Sequence, residues 1–142
     1  MKKFKKSTAR RTLDKLWSEI IHARDKRCIW CGRKHGKLDA HHIISKGRAG
    51  LVGRYDTSNG CLLCFYCHRI KVHNSFPVEW ADFIRVWLHD NDLDYNQLKL
   101  TYDGAYWKLT KHNYESKKKI FESVLKELLN KPLTEQEKDG II

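Results

Sequence analysis

The sequence has no apolar run long enough to cross a bilayer and no lipidation signal, which argues against an integral or lipid-anchored membrane protein. It has no internal repeat and no long low-complexity linker, so no solenoid or string of tethered modules is expected. The basic start Met1-Lys2-Lys3-Phe4-Lys5-Lys6 leads into no hydrophobic segment, because Asp14 and Lys15 interrupt it; a secretory signal is not expected, and a soluble cytoplasmic protein is. Acidic residues are scarce in one half only. Residues 1–76 hold 18 Lys/Arg against 5 Asp/Glu, and residues 77–142 hold 10 against 12. The first half is therefore the one suited to a polyanion, and a charge excess gathered around a metal-ligand cluster favours nucleic acid over a membrane surface. At 142 residues the chain reads as one domain (1–142) with a modest core.

What is present is concentrated between Cys28 and Lys71. Two Cys-x-x-Cys knuckles, Cys28/Cys31 and Cys64/Cys67, suit one structural Zn²⁺, since each presents two thiolates to a tetrahedral ion. A disulfide framework is the competing reading, but five cysteines leave one over, and cytosolic thiols stay reduced. Such a zinc site contributes on the order of 10–16 kcal/mol of apparent binding free energy, most of it felt as folding. Cys61, the remaining thiol, reads as a small buried hydrophobe.

The histidines need a separate account, because four thiolates already fill the zinc. His68 follows Cys67 at the start of an expected helix, where neighbours point about 100° apart, so the two face different ways. Lys71, three residues on, shares the His68 face, whereas His73, five on, is rotated away and is expected to be structural or exposed. His68 and Lys71 thus read as a pair for a metal and a phosphate. Leu38 to Ile43 reads as the first strand of a hairpin. A regular strand sends His41 and His42 to opposite faces, so both serve one site only if the strand ends or bulges there.

Ala40-His41-His42-Ile43, then Asn59, then Cys64-x-x-Cys67-His68-x-x-Lys71, with Cys28-x-x-Cys31 upstream, resembles the HNH endonucleases. Ser45-Lys46-Gly47-Arg48 and Arg54-Tyr55-Asp56 are more loosely similar to small phage recombination nucleases of the NinG/Rap type. The resemblance implies an α+β fold: a ββα-metal (treble-clef) finger with structural zinc, flanked by an N-terminal helix and C-terminal helices. It also implies metal-dependent hydrolysis of DNA to 5′-phosphate and 3′-hydroxyl ends. His42 would be the general base, His41 and His68 the ligands of a catalytic divalent ion, and Asn59 a brace whose amide holds the loop and the base. Mg²⁺ or Mn²⁺ is the expected activator, with Ni²⁺ or Zn²⁺ as alternatives because two imidazoles are softer than the carboxylate that most members have in place of His41. Lys46, Arg48, Arg54 and Lys71 would bind the DNA backbone, and the protein would be a monomer or homodimer in the cytoplasm, the host's if phage-encoded. A zinc-stapled binding module without catalysis and a branch-specific recombination nuclease are the competing readings.

Around this core (residues 28–74) the expected elements are a basic arm over 1–6, a helix over 7–24 carrying Leu13, Leu16, Trp17, Ile20 and Ile21, and mainly helical support over 75–142. The arm either lies along phosphates or does nothing in particular, and Trp17 is expected to pack in the core. The glycine-rich stretch between the histidines and Asn59 reads as a loop, either a phosphate track or plain surface. Asn59-Gly60 by itself is also ordinary turn chemistry. After a helix starting near Pro77, Leu98, Leu100 and Tyr102 alternate up to Asp103-Gly104 and suggest a small hairpin. Asp90 to Asp94 opens like a calcium loop but lacks the glycine and glutamate such a loop needs. A last helix, about 113–130, carries Ile120, Phe121, Val124, Leu125, Leu128 and Leu129 as core or dimer surface.

Overall fold

The structure, a computed structural model, describes residues 2–132 and 134. Met1 of the expected basic arm, and residue 133 and residues 135–142 of the expected C-terminal support, lie outside the described residues.

Helix α1 (Lys6–Asp25) forms on an apolar stripe at helical spacing and buries Ala9, Leu13, Trp17, Ile20 and Ile21. It ends where Lys26 turns left-handed and returns its N–H to the His22 carbonyl. Strand β1 (Leu38–His42) pairs antiparallel with β2 (Gly60–Cys64), from Leu38 opposite Cys64 to His42 opposite Gly60. Every residue of β2 is buried, and its alternation divides the core into two clusters of described residues. Cys61 and Leu63 face a cluster with Trp80, Ile84 and Leu88, and Leu62 faces the other with Leu13, Trp17 and Ile21. Burying each such large side chain is worth roughly 1.5–3 kcal/mol. The second edge of β2 is closed by the chain leaving α1: Leu62 donates to Asp25 Oδ2 at 2.9 Å, and its carbonyl accepts from Ile29 N at 2.9 Å.

Between the strands the glycine-rich stretch is not a loop. It is helix α2 (Lys46–Arg54), kinked at Gly50, whose φ of 63° lies in the left-handed region. Ala49 and Gly53 are buried there while Lys46 and Arg48 stay exposed, so packing on one side outweighs the low helix propensity of glycine. After β2 the chain winds as a π-helix from Tyr66 to Ser75, then as α3 (Pro77–Asp90), with proline in its first turn and Trp80, Ile84 and Leu88 buried.

The expected hairpin near Leu98 is instead helix α4 (Tyr95–Tyr102), opened by the Asp94 carboxylate accepting from Gln97 N at 2.8 Å. Leu98 and Tyr102, four apart, are buried, and Leu100 between them is 64% exposed; the apparent alternation was one helical face plus a surface leucine. Helix α5 (Lys111–Asn130), capped by Thr110, lies along α1 with Phe121 buried and Val124, Leu125 and Leu128 packed beside it, while Ile120 and Leu129 are exposed. Within the basic arm, Phe4 packs on Tyr114 of α5 at a centroid distance of 5.9 Å. No helix among the described residues is long and apolar enough to cross a membrane.

Candidate active site

The knuckles meet where α1 gives way to the sheet and where β2 enters the π-helix. One sulfur from each of Cys28, Cys31, Cys64 and Cys67 lies within 4.8 Å of the others, and Cys31 Sγ is 3.6 Å from Cys64 Sγ. A tetrahedral ion with Zn–S bonds of about 2.3 Å sets its sulfurs roughly 3.8 Å apart, so the four cysteines fit as a zinc site. Cys67 N also donates to Cys64 Sγ at 3.4 Å. Burial, and then hydrogen bonding with Cys64 and the nearby Cys28, push the Cys67 thiol well above its ordinary range; four crowded sulfurs favour the thiolate form once a cation compensates them. Cys61 faces the core apart from this cluster, fully buried.

Alternation along β1 sorts the histidines. Asp39 and His41 fall on one face of the sheet, and Ala40 and His42 on the other. The pairing stays regular through His42, and the strand ends there rather than bulging.

On the first face His41 meets His68 and, contrary to expectation, His73. The ring centroids are 5.0 Å apart for His41–His68, 5.4 Å for His41–His73 and 4.9 Å for His68–His73. One ring nitrogen from each lies within 4.8 Å of the others. In an α-helix residues five apart would diverge by about 140°. In a π-helix the i→i+5 bond stacks them, as with Phe76 N on Lys71 O at 2.9 Å, and His73 returns to the His68 face. Lys71, expected to bind phosphate beside His68, has its Nζ over the Trp30 ring at 4.7 Å and the Tyr66 ring at 5.9 Å. Asp39 is a further member that the sequence reading missed. Its Oδ2 lies 3.1 Å from His68 Nδ1, which donates to it in the neutral ring and leaves Nε2 with a lone pair for a metal. The signal was available, since Asp39 stands two residues before His41 on the same strand face. Burial first, then the neighbouring His68, His73 and His42, lower the His41 pKa to about 3, so it stays a neutral imidazole.

On the second face the His42 ring stacks on Trp17 of α1, centroids 3.8 Å apart and planes within 2°. His42 Nε2 donates to the Arg54 carbonyl at 2.9 Å, which fixes the tautomer and leaves Nδ1 able to accept a proton. Asn59 is fully buried behind this face. Its Oδ1 accepts from Ile44 N at 2.7 Å, and its Nδ2 donates to Ile44 O at 2.9 Å and to Gly53 O at 3.0 Å. It thus ties both ends of the α2 segment together, next to the carbonyl that holds His42. It precedes β2 in a short 3₁₀ turn, Thr57–Asn59, and is not a hairpin turn residue.

His41, His42 and His68 open with Ala40, Ser45 and Lys46 onto one shallow cleft of about 270 Å³, at the point where the strand ends. Of the expected DNA-contacting residues, Lys46 lines this cleft and Arg48 is exposed on the same helix. Arg54 is already engaged: its Nε and Nη2 donate to the Asp14 carboxylate at 2.8 and 2.6 Å. The arrangement can hold a divalent cation on one side of the cleft and present an oriented neutral imidazole on the other. No curated protein and no solved structure matches this chain significantly. The zinc knuckles, both strands and the π-helix nonetheless fall within one span, and it is this span, residues 28–74, that matches the model of the HNH endonuclease family.

Proposed function

We propose that the chain is a metal-dependent endonuclease that hydrolyses DNA phosphodiester bonds to 5′-phosphate and 3′-hydroxyl ends. The observation that carries this reading is the convergence, at one strand end inside the matched span, of a three-imidazole cluster and a separately oriented histidine. His42 acts as general base. With Nε2–H committed to the Arg54 carbonyl, Nδ1 takes a proton from water as its oxygen attacks the phosphorus, and the P–O3′ bond breaks with O3′ picking up a proton from solvent. His41, His68 and His73 would hold the cation, with Asp39 fixing the His68 ring. A divalent ion bound there supplies Lewis-acid stabilisation of the charge that develops on the phosphate and leaving oxygens. Three nitrogen donors shift the expected activator from Mg²⁺ towards Mn²⁺, Ni²⁺ or Zn²⁺. Lys46 steers the phosphate into the cleft.

The test is nicking of supercoiled plasmid by the zinc-loaded protein and by His42→Ala, with EDTA, Mg²⁺, Mn²⁺, Ni²⁺ and added Zn²⁺. Cleavage should require a divalent ion and fall by about 10²–10⁴-fold in the variant, with zinc content and DNA affinity kept. A folded wild type that binds DNA but cuts under no metal would make the chain a zinc-stapled binding module, which has no use for an oriented His42.

A further inference from the structure

We propose that Trp17 and Asp14 of α1 are positioning residues for the reaction, holding His42 in its working orientation. This rests on the reading of His42 as general base, and it assigns a part in the site to a helix that ends before the matched span begins.

Two side-chain torsions set an imidazole, and two independent contacts fix them here. The first is the flat stack on Trp17, at 3.8 Å between centroids. An indole is as free to rotate as an imidazole unless something holds it, and this one is held: Trp17 is buried, and its Nε1 donates to the Asp56 carbonyl at 3.0 Å. The sheet is built to admit it. The residue paired with His42 across the strands is Gly60, and a Cβ there would lie 2.5 Å from Trp17 Cζ2 and 2.6 Å from Ile21 Cδ1. The indole therefore takes the place of the cross-strand side chain that would ordinarily pack beside His42. The second contact is the Arg54 carbonyl, at the end of a kinked, glycine-rich helix with little stiffness of its own. Asp14, three residues before Trp17 on the same helical face, grips the guanidinium of that residue with two charge-assisted hydrogen bonds. One turn of α1 thus reaches the base twice, by its ring face and through the backbone acceptor of its Nε2–H.

A bland core role for Trp17 predicts loss of stability alone. The positioning role predicts something more specific in Trp17→Leu, which keeps an apolar side chain but no ring. In the NMR spectrum of the zinc-loaded protein, the His42 ring-proton signals, shifted by the indole ring current, should move towards free-imidazole positions; in Trp17→Phe they should stay largely displaced. With the activating metal, kcat should fall by about 10–100-fold in Trp17→Leu with KM little changed, since a small misplacement of a reacting group costs that much. Trp17→Phe should recover most of it, and Asp14→Asn should lower kcat in the same sense. Leu13→Ala, a cavity in the same core cluster, serves as the control: it should lower the melting temperature and leave kcat and the His42 signals in place. Unmoved His42 signals in Trp17→Leu, or an unchanged kcat despite displaced signals, would overturn the proposal. If Trp17→Leu does not fold, Asp14→Asn decides by the same two readouts: moved His42 signals together with a lowered kcat support the proposal, and unmoved signals or an unchanged kcat overturn it. Failure of the base assignment shows separately, as wild-type cleavage by His42→Ala.

Discussion

His42 sits where protonation is disfavoured. Burial is the largest cause, and the Lys46 and Arg54 cations add to it, against opposing contributions from the Arg54 carbonyl and Asp14; the result is a pKa below the ordinary 6.5. A depressed pKa means that the proton is bound only in more acid solution, so the His42 ring is neutral at neutral pH and, in the proposed role, ready to take a proton. The rate should stay level through the ordinary imidazole range around pH 6.5 and lose about tenfold per unit only in more acid solution, below the lowered pKa. Lys46→Gln removes one of the cations and should move that acid limb to higher pH. A kcat–pH profile of both proteins checks the limb and its direction. Asn59 ties Ile44 to Gly53, next to the residue whose carbonyl accepts from His42. Asn59→Ala leaves the Ile44 N–H and the Ile44 and Gly53 carbonyls without their buried partner, which should cost about 1–3 kcal/mol in stability, measured by denaturation of the zinc-loaded protein.

Among the elements, the π-helix brings the three histidines together. It lets one segment present Cys67 to the zinc and both His68 and His73 to the strand, a combination that a 3.6-residue repeat does not give. Asp39→Ala should loosen the His68 ring and lower the affinity for Mn²⁺ or Ni²⁺ by about 10–100-fold, read by calorimetry on zinc-loaded protein whose cysteine cluster is undisturbed. This is also where sequence reasoning stopped short. The knuckles, the first strand, α1, α3 and α5 are legible in the sequence, because ligand spacing and apolar periodicity are local signals. α-helical angles turn His73 away from His68, but this stretch is wound as a π-helix, and nothing in Cys67 to His73 announces the wider turn. Helices α2 and α4 are hidden in the sequence for a related reason: Gly47, Gly50 and Gly53 look like a loop until the burial of Ala49 and Gly53 is known, and Leu98, Leu100 and Tyr102 look alternating until Leu100 is seen on the surface. Long-range packing decided each case.

For the molecule as a whole, the charge asymmetry between the two halves becomes a statement about which cations are available to a polyanion. Composition counts Arg54 with the rest, yet its guanidinium is spent on Asp14, whereas Lys46 lines the cleft and Arg48 is exposed beside it. Each Lys or Arg that neutralises a phosphate releases counterions, and log K for duplex DNA falls with log salt by about 0.9 for each contact. Lys46→Gln and Arg48→Gln should therefore each weaken binding and reduce that slope by about 0.9. Arg54→Gln should leave the slope near the wild-type value, because no phosphate contact is lost, and should instead lower stability and kcat by freeing the carbonyl that holds His42. Fluorescence anisotropy of a labelled duplex, titrated between about 50 and 200 mM salt with the zinc-loaded, metal-free-cleft protein, separates the two classes. A slope that drops in Arg54→Gln as much as in Lys46→Gln would mean that the Asp14 pair opens when DNA arrives, and that the grip of α1 on the base is released by the substrate itself.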